Sequence, residues 1–204
     1  MEAACWLTYT KKMVEKKAKF GSKKKDGITL EVQIPEGIQA SLDGRKITVK
    51  GSQGQLTKTL QSRTVNVKLD GNKITLTTPQ NRKKHRALIH TARGNILNMI
   101  HGVRDKVSYK LKICYSHFPM GVKVQGNIML IDNFLGERHP RKSLLLEGVH
   151  VDVKGQDVIL TGVDKENVAQ SAANIEQTTR IKKLDPRVFQ DGIFIVEKDG
   201  KPVK

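Results

Sequence analysis

From Gly44 onward, apolar and polar residues alternate with a period of two. Ile47 and Val49 stand between polar neighbours, Gly51-Ser52-Gln53-Gly54 offers a turn, and Leu56 and Leu60 follow. Val65, Val67 and Leu69 alternate again, Asp70-Gly71-Asn72 interrupts them, and Ile74 and Leu76 resume before Pro79. A period of two places alternate side chains on one face of a strand. Asp-Gly and Gly-Asn tolerate the positive φ of a tight hairpin turn, so the two runs flanking residue 71 are predicted to pair. The period then lengthens: Leu88, Ala92, Ile96, Met99 and Val103 fall on one face of a helix.

The same order returns further along. Met129 and Ile131 follow Gly126, a turn lies around Gly136, and Val149, Val151 and Val153 alternate. Lys154-Gly155-Gln156-Asp157 turns the chain into Val158 and Leu160. Asp164 is a predicted helix N-cap, and Val168, Ala172, Ile175 and Thr179 form the apolar helix face behind it. Gly44, Val49 and Gly54 match Gly126, Ile131 and Gly136 at an offset of 82, and Ile74 and Leu76 match Val158 and Leu160 at 84. A unit of roughly 80 residues is too long for a solenoid repeat. The expected fold is therefore α+β: two duplicated domains, each an antiparallel β-sheet packed on one face by an α-helix. The boundaries read as a basic arm at 1–27, a first repeat at 28–108 and an inter-domain strand and linker at 109–121. A second repeat at 122–182 and a basic tail at 183–204 complete the chain.

Composition narrows the partner. The chain has 204 residues, 37 Lys and Arg against 20 Asp and Glu, and a net charge of +17. Such an excess points to a polyanion, either nucleic acid or an anionic membrane surface. Aromatic residues are only 4%, which argues against single-strand binding dominated by base stacking. No apolar run reaches the ~18–20 residues of a membrane span, and no leader pattern opens the chain, so a cytosolic or nuclear protein is expected. Cys5 and Cys114 lack metal-site spacing and read as reduced thiols. The charge is uneven. Residues 28–116 carry +11, residues 117–179 carry −2, and the two ends carry +5 and +3.

Four segments are candidate anion sites. The loop from Asn133 through Phe134, Gly136, Arg138 and His139 to Arg141 and Lys142 concentrates cations in the least basic part of the chain. Its cations are expected to stand out from the sheet edge and to meet phosphates, the arginines by their forked donors. Arg180, Lys182, Lys183 and Arg187 crowd the end of the second helix, where they also offset the negative pole of its dipole. That stretch reads either as a flexible tail docking into folded RNA or, through Phe189 and Ile193, as chain packed back on the domain. The arm with Lys23, Lys24 and Lys25 reads as a solvated tail, as a segment ordered by phosphates, or as a nuclear import address. Arg82 to Arg86, leading into the first helix, reads as a solvated face. The GxxG at 51–54 lies between strands rather than between helices, so it reads as a hairpin turn and not as the RNA clamp of a KH domain.

Catalytic signatures are lacking. The six histidines form no metal-like cluster, and there is no P-loop, no GxSxG and no paired-carboxylate pattern. A ribonuclease built on His139 and a neighbouring lysine is a distant third reading, and no cofactor or metal is expected.

These residues together resemble one family, universal large-subunit ribosomal protein six, numbered nine in eukaryotes. The resemblance runs from about Ile28 to Asp199 and favours the archaeal and eukaryotic branch. It is carried by Val32-Gln33-Ile34-Pro35-Glu36, Leu42-Asp43-Gly44-Arg45 and Ile47-Thr48-Val49-Lys50-Gly51 with Gly54 and Leu56. Asn98-Met99-Ile100-His101-Gly102-Val103, Tyr115-Ser116-His117-Phe118-Pro119, Asn133-Phe134-Leu135-Gly136-Glu137, Ser171-Ala172-Ala173 and Phe189-Gln190-Asp191-Gly192-Ile193 complete it. The arm and the segment Arg104-Asp105-Lys106-Val107 depart from it. The resemblance implies a structural rRNA-binding protein without chemistry, held mainly by its second domain near the sarcin–ricin loop and the stalk base. It implies neighbouring ribosomal proteins and nearby translational GTPases as partners, no membrane and no small-molecule substrate. It also implies a cytoplasmic ribosome, with nucleolar assembly in a eukaryote. The alternative is a non-ribosomal RNA-binding regulator with the same fold.

Overall fold

The computed structural model describes residues 27–203 except 61, 63, 117, 183 and 186. The first repeat contains β1 (Ile28–Gln33), β2 (Gln39–Asp43), β3 (Lys46–Gly51), β4 (Gly54–Thr59), β5 (Asn66–Asp70), β6 (Lys73–Thr78) and α1 (Lys83–Arg104). The second contains β7 (Val107–Cys114), β8 (Gly121–Gln125), β9 (Ile128–Asp132), β10 (Arg141–Leu144), β11 (Val149–Lys154), β12 (Asp157–Gly162) and α2 (Lys165–Thr178). β13 (Gly192–Lys198) and β14 (Lys201–Pro202) follow.

All strand pairs are antiparallel, and each repeat divides its strands between two sheets. The first holds β1-β6-β5 and β2-β3-β4; the second holds β11-β12-β7-β13-β14 and β10-β9-β8. Ordered by position in the repeat, the two topologies superpose, and β13-β14 is the one addition. Paired turns agree in backbone conformation as well. Gly44 and Gly126 sit at φ 59° and 58°, Gly71 and Gly155 at 58° and 60°. These left-handed turns are open to glycine without the Cβ penalty other residues incur.

Each helix covers the strands of its own repeat, which gives two separate cores. Ile47, Val49, Ile74, Leu76, Ile89, Ile96 and Val103 form the first. Leu111, Met129, Ile131, Phe134, Leu160, Ile175 and Ile193 anchor the second. The connection between the repeats is tight. Lys58 bridges to Asp164 at 3.0 Å and to Glu166 at 2.8 Å, and Asp164 in turn caps α2 by accepting from Glu166 N at 3.0 Å. A Cβ on Gly102 would collide with the carbonyl oxygen of Val163, so glycine is required where α1 meets the segment leading into α2.

Two expected assignments change. The strand of residues 109–115 does not bridge the domains. As β7 it lies between β12 and β13, and it buries Val107, Tyr109, Leu111 and Ile113. The repeat begins one strand earlier than the Gly44 register suggests, and β1 is the counterpart of β7. Nor do residues 192–202 form a tail: β13 hydrogen-bonds along β7 and buries Ile193 completely, which is the packed-back alternative for that residue. Alternating apolar residues need a sheet to cover them, and the open edge of β7 supplies it.

Candidate nucleic-acid interface

The two repeats differ most where the charge pattern points. In the first repeat, β3 and β4 are joined by the two residues 52 and 53; in the second, β9 and β10 are joined by the eight residues 133–140. This longer connection is not loose. Asn133, Leu135 and Gly136 have φ values of 57°, 51° and 75°, so the chain folds back sharply through a short 3-10 turn, Phe134–Gly136. Left-handed backbone at Leu135 costs roughly 1–2 kcal/mol, which the packing must offset. Its partly buried side chain rests against the second core. Phe134 is 1% exposed and belongs to that core. Asn133 Nδ2 donates to Pro119 O at 3.1 Å, and a Cβ at Gly136 would lie 3.5 Å from the Phe118 ring.

Arg141 joins this loop to a distant segment. Its Nε and Nη2 donate to the two carboxylate oxygens of Glu137 at 2.8 and 2.6 Å. Its Nη1 donates to Thr178 O at 2.7 Å and Arg180 O at 3.3 Å, and its guanidinium lies 4.2 Å from the centre of the Phe134 ring. The last carbonyl of α2 and that of Arg180 just beyond it thus receive a cation from another element, and the last turn of α2 carries no basic residue of its own. The Arg141 hydrogen bonds hold the Glu137 carboxyl below its usual value of 4.5.

These contacts revise the roles expected for two of the site residues. Phe134 is a core residue, because a wholly apolar ring gains more by burial under the loop than by exposure. Arg141 is a bracket within the protein. Its donors go to carbonyls and to Glu137, so the negative end of α2 is met by Arg141 and the side chains of Arg180 and Lys182 are left exposed. Arg138, His139, Lys142 and Arg187 are exposed as well. The loop cations and the cations after α2 are far apart in sequence, and Arg141 brings the two segments together. Lys23, Lys24, Lys25 and Lys183 lie outside the described residues.

Sequence reasoning missed the supports of this surface. Asp191, 2% exposed, accepts from Ser116 N at 2.9 Å and from Ser116 Oγ at 2.8 Å. Buried Ser171 accepts from Leu146 N at 3.0 Å, just beyond β10. Thr179 Oγ1 accepts from Ile193 N at 3.1 Å, fastening the start of β13 to the end of α2. Ser116, Ser171 and Asp191 stood in the motifs that carry the resemblance and Thr179 on the helix face, but nothing in the sequence identified their partners.

The architecture defines a class: a duplicated α+β protein with two cores and a braced cationic loop at one end of its second repeat. Among the described residues there is no group of His, Cys, Asp and Glu able to hold a metal, and no helix long and apolar enough to cross a membrane. The family model described as ribosomal protein L6 matches residues 34–106 and 118–192, one segment in each repeat. The chain belongs to this ribosomal protein family and is not an enzyme. It is 45% identical over 169 residues to the large ribosomal subunit protein uL6 of Methanobrevibacter smithii, covering 83% of this chain and 95% of that protein. The proteins of the same name from Archaeoglobus fulgidus and Methanococcus vannielii are 43% and 44% identical, over 82% and 84% of this chain and 88% and 94% of theirs.

Proposed function

We propose that this chain is a structural component of the large ribosomal subunit and binds rRNA with the end of its second repeat. The observation that carries the reading is the Arg141 bracket. It fixes the 133–140 loop against the residues after α2, so that Arg138, Arg180 and Lys182 are offered on braced chain rather than on independent tails, with Lys142 exposed beside the bracket. Cations held in place lose little side-chain or loop entropy on meeting phosphates. Asn133 and Gly136 shape the loop, His139 adds a polar contact from its exposed side, and Arg187 extends the cationic segment. The proposed site on rRNA is the neighbourhood of the sarcin–ricin loop and the stalk base, beside the docking region of translational GTPases and next to other ribosomal proteins. The arm at 1–27, with Lys23 to Lys25, adds phosphate contacts of its own. The work is done in the cytoplasm, after nucleolar assembly where the organism is a eukaryote.

Sedimentation through a high-salt gradient tests this. The protein is expected to travel with large subunits, and the combined change of Arg138, Lys142 and Lys182 to Ala is expected to move it toward the light fractions. A parent chain wholly in the light fractions would instead favour the free RNA-binding regulator.

A further inference from the structure

The duplication leaves a place unfilled. β1 and β7 correspond residue by residue, because their partners β6 and β12 are in matched register. Ile28 pairs with Thr78 as Val107 pairs with Gly162, and Gln33 with Lys73 as Lys112 with Asp157. Ile34 N donates to Asn72 O as Ile113 N donates to Gln156 O, which fixes the phase of the alternation. The backbone N–H and C=O groups of Thr29, Glu31 and Gln33 therefore point away from β6. At the equivalent edge of β7 lies β13, and Ser108 O, the counterpart of Thr29 O, accepts from Asp199 N at 2.8 Å. At the β1 edge no strand is paired among the described residues. The side chains differ accordingly: Val107 and Tyr109 are buried, whereas Ile28 and Leu30 are only half-buried.

Charge at the same edge is also unmatched. The two helices begin at the same place in their repeats, with Arg82 at the N-cap position held by Asp164 and Lys83 at the first helical position held by Lys165. In the second repeat, Lys165 Nζ reaches Asp199 Oδ2, at the far end of the added strand, at 3.4 Å. In the first repeat that corner holds Arg82, Lys83, Lys84 and Arg86, with no acidic residue in the first turn of α1 and no side-chain cap. Cations at the positive pole of a helix are disfavoured unless an anion faces them.

We propose that the β1 edge is a docking site for an extended segment of a partner protein, which adds antiparallel to β1 as β13 adds to β7. The segment places apolar side chains at the positions of Ile193 and Ile195. It ends in acidic residues that meet Arg82, Lys83, Lys84 and Arg86. Strand addition of this kind draws affinity from main-chain hydrogen bonds and specificity from alternate side chains. The site lies on the first repeat, so it stands or falls independently of rRNA binding by the second.

Residue-resolved amide exchange on the full chain tests the proposal. The probe is a synthetic peptide with the sequence of residues 190–200, the segment that fills the equivalent place. Without peptide, the amides of Thr29, Glu31 and Gln33 are expected to exchange fast. With peptide they are expected to slow at least tenfold, while Ser108, Lys110 and Lys112 stay as they were. Changing Arg82, Lys83 and Lys84 to Glu is expected to weaken binding at least tenfold, as is Glu197→Lys with Asp199→Lys in the peptide. No slowing at millimolar peptide would overturn the proposal. So would amides already protected in the free chain, which would mean that this chain or a second copy covers its own edge. Binding indifferent to the charge changes would overturn the acidic partner.

Discussion

At the scale of single residues, stability and binding separate between neighbours. Arg141 and Lys142 are adjacent in β10, but Arg141 is engaged by Glu137, two main-chain carbonyls and the Phe134 ring, while Lys142 is exposed. Arg141→Ala removes four hydrogen bonds, the one to Thr178 O partly buried, and a cation over a ring, a loss of about 1–3 kcal/mol. For a chain of this size the melting temperature should fall by roughly 3–10 °C. Lys142→Ala should change stability by less than about 0.5 kcal/mol. Arg141→Lys should resemble Arg141→Ala, because one ammonium cannot reproduce a forked set of donors. Thermal unfolding of the three variants checks the ordering. The same bracket gives a pH dependence. Arg141 depresses the Glu137 pKa, so the pair's contribution is fully present above the unfolded value and is lost as pH falls through the folded one. Stability should therefore decline with acidification below about pH 4.5 more steeply in the parent than in Glu137→Gln, as followed by denaturant unfolding from about pH 6 to 3.

At the scale of elements, the close approach of α1 to Val163 is the joint between the repeats. Gly102→Ala must shift either the helix or the Val163 backbone, since a carbonyl oxygen rather than a flexible side chain stands in the way. An overpacking cost of about 1–3 kcal/mol is expected, with a lower melting temperature and faster amide exchange at Val163 and Asp164. Lys58→Ala, which removes only the partly exposed bridges to Asp164 and Glu166, should cost under about 1 kcal/mol. The elements themselves were largely legible in the sequence. The turns at Gly71 and Gly155, the Asp164 cap and the buried faces of both helices follow from periodicity and from residues that tolerate special backbone angles. The strand at 109–115 was legible as a strand, but its place between β12 and β13 was not, nor was the pairing of β13, because an alternating run states that it has a buried face without stating which strand covers it. The exposed loop cations were legible for the same reason that Arg141 was not. Charge says that a side chain is polar, and only the fold reveals that the end of α2 lies within its reach.

For the whole molecule, the net charge of +17 divides into parts with different uses, and they can be separated by matched charge removal. Changing Arg138, Lys142 and Lys182 to Ala removes three positive charges from the second-repeat surface. Changing Arg82, Lys83 and Lys84 to Ala removes three from the head of α1 in the first. Long-range steering would respond to the two changes alike, since both lower the total equally. Direct binding to phosphates would not. Each phosphate that is no longer neutralised lowers the slope of log affinity against log salt by nearly one, so the first variant should have a slope smaller by about two to three. The second should keep the parent slope, since its cations face a protein strand on the opposite reading. Titration of both variants and the parent with large-subunit rRNA, from roughly 50 to 300 mM salt, measures this directly. Equal reductions would mean that charge, not site, governs binding. An unchanged slope in the first variant would show that the loop is merely solvated. A reduction confined to it would mean that the surface formed by the 133–140 loop, its neighbour Lys142 and the residues after α2 carries the RNA contact, and that the positive charge of the first repeat serves another partner.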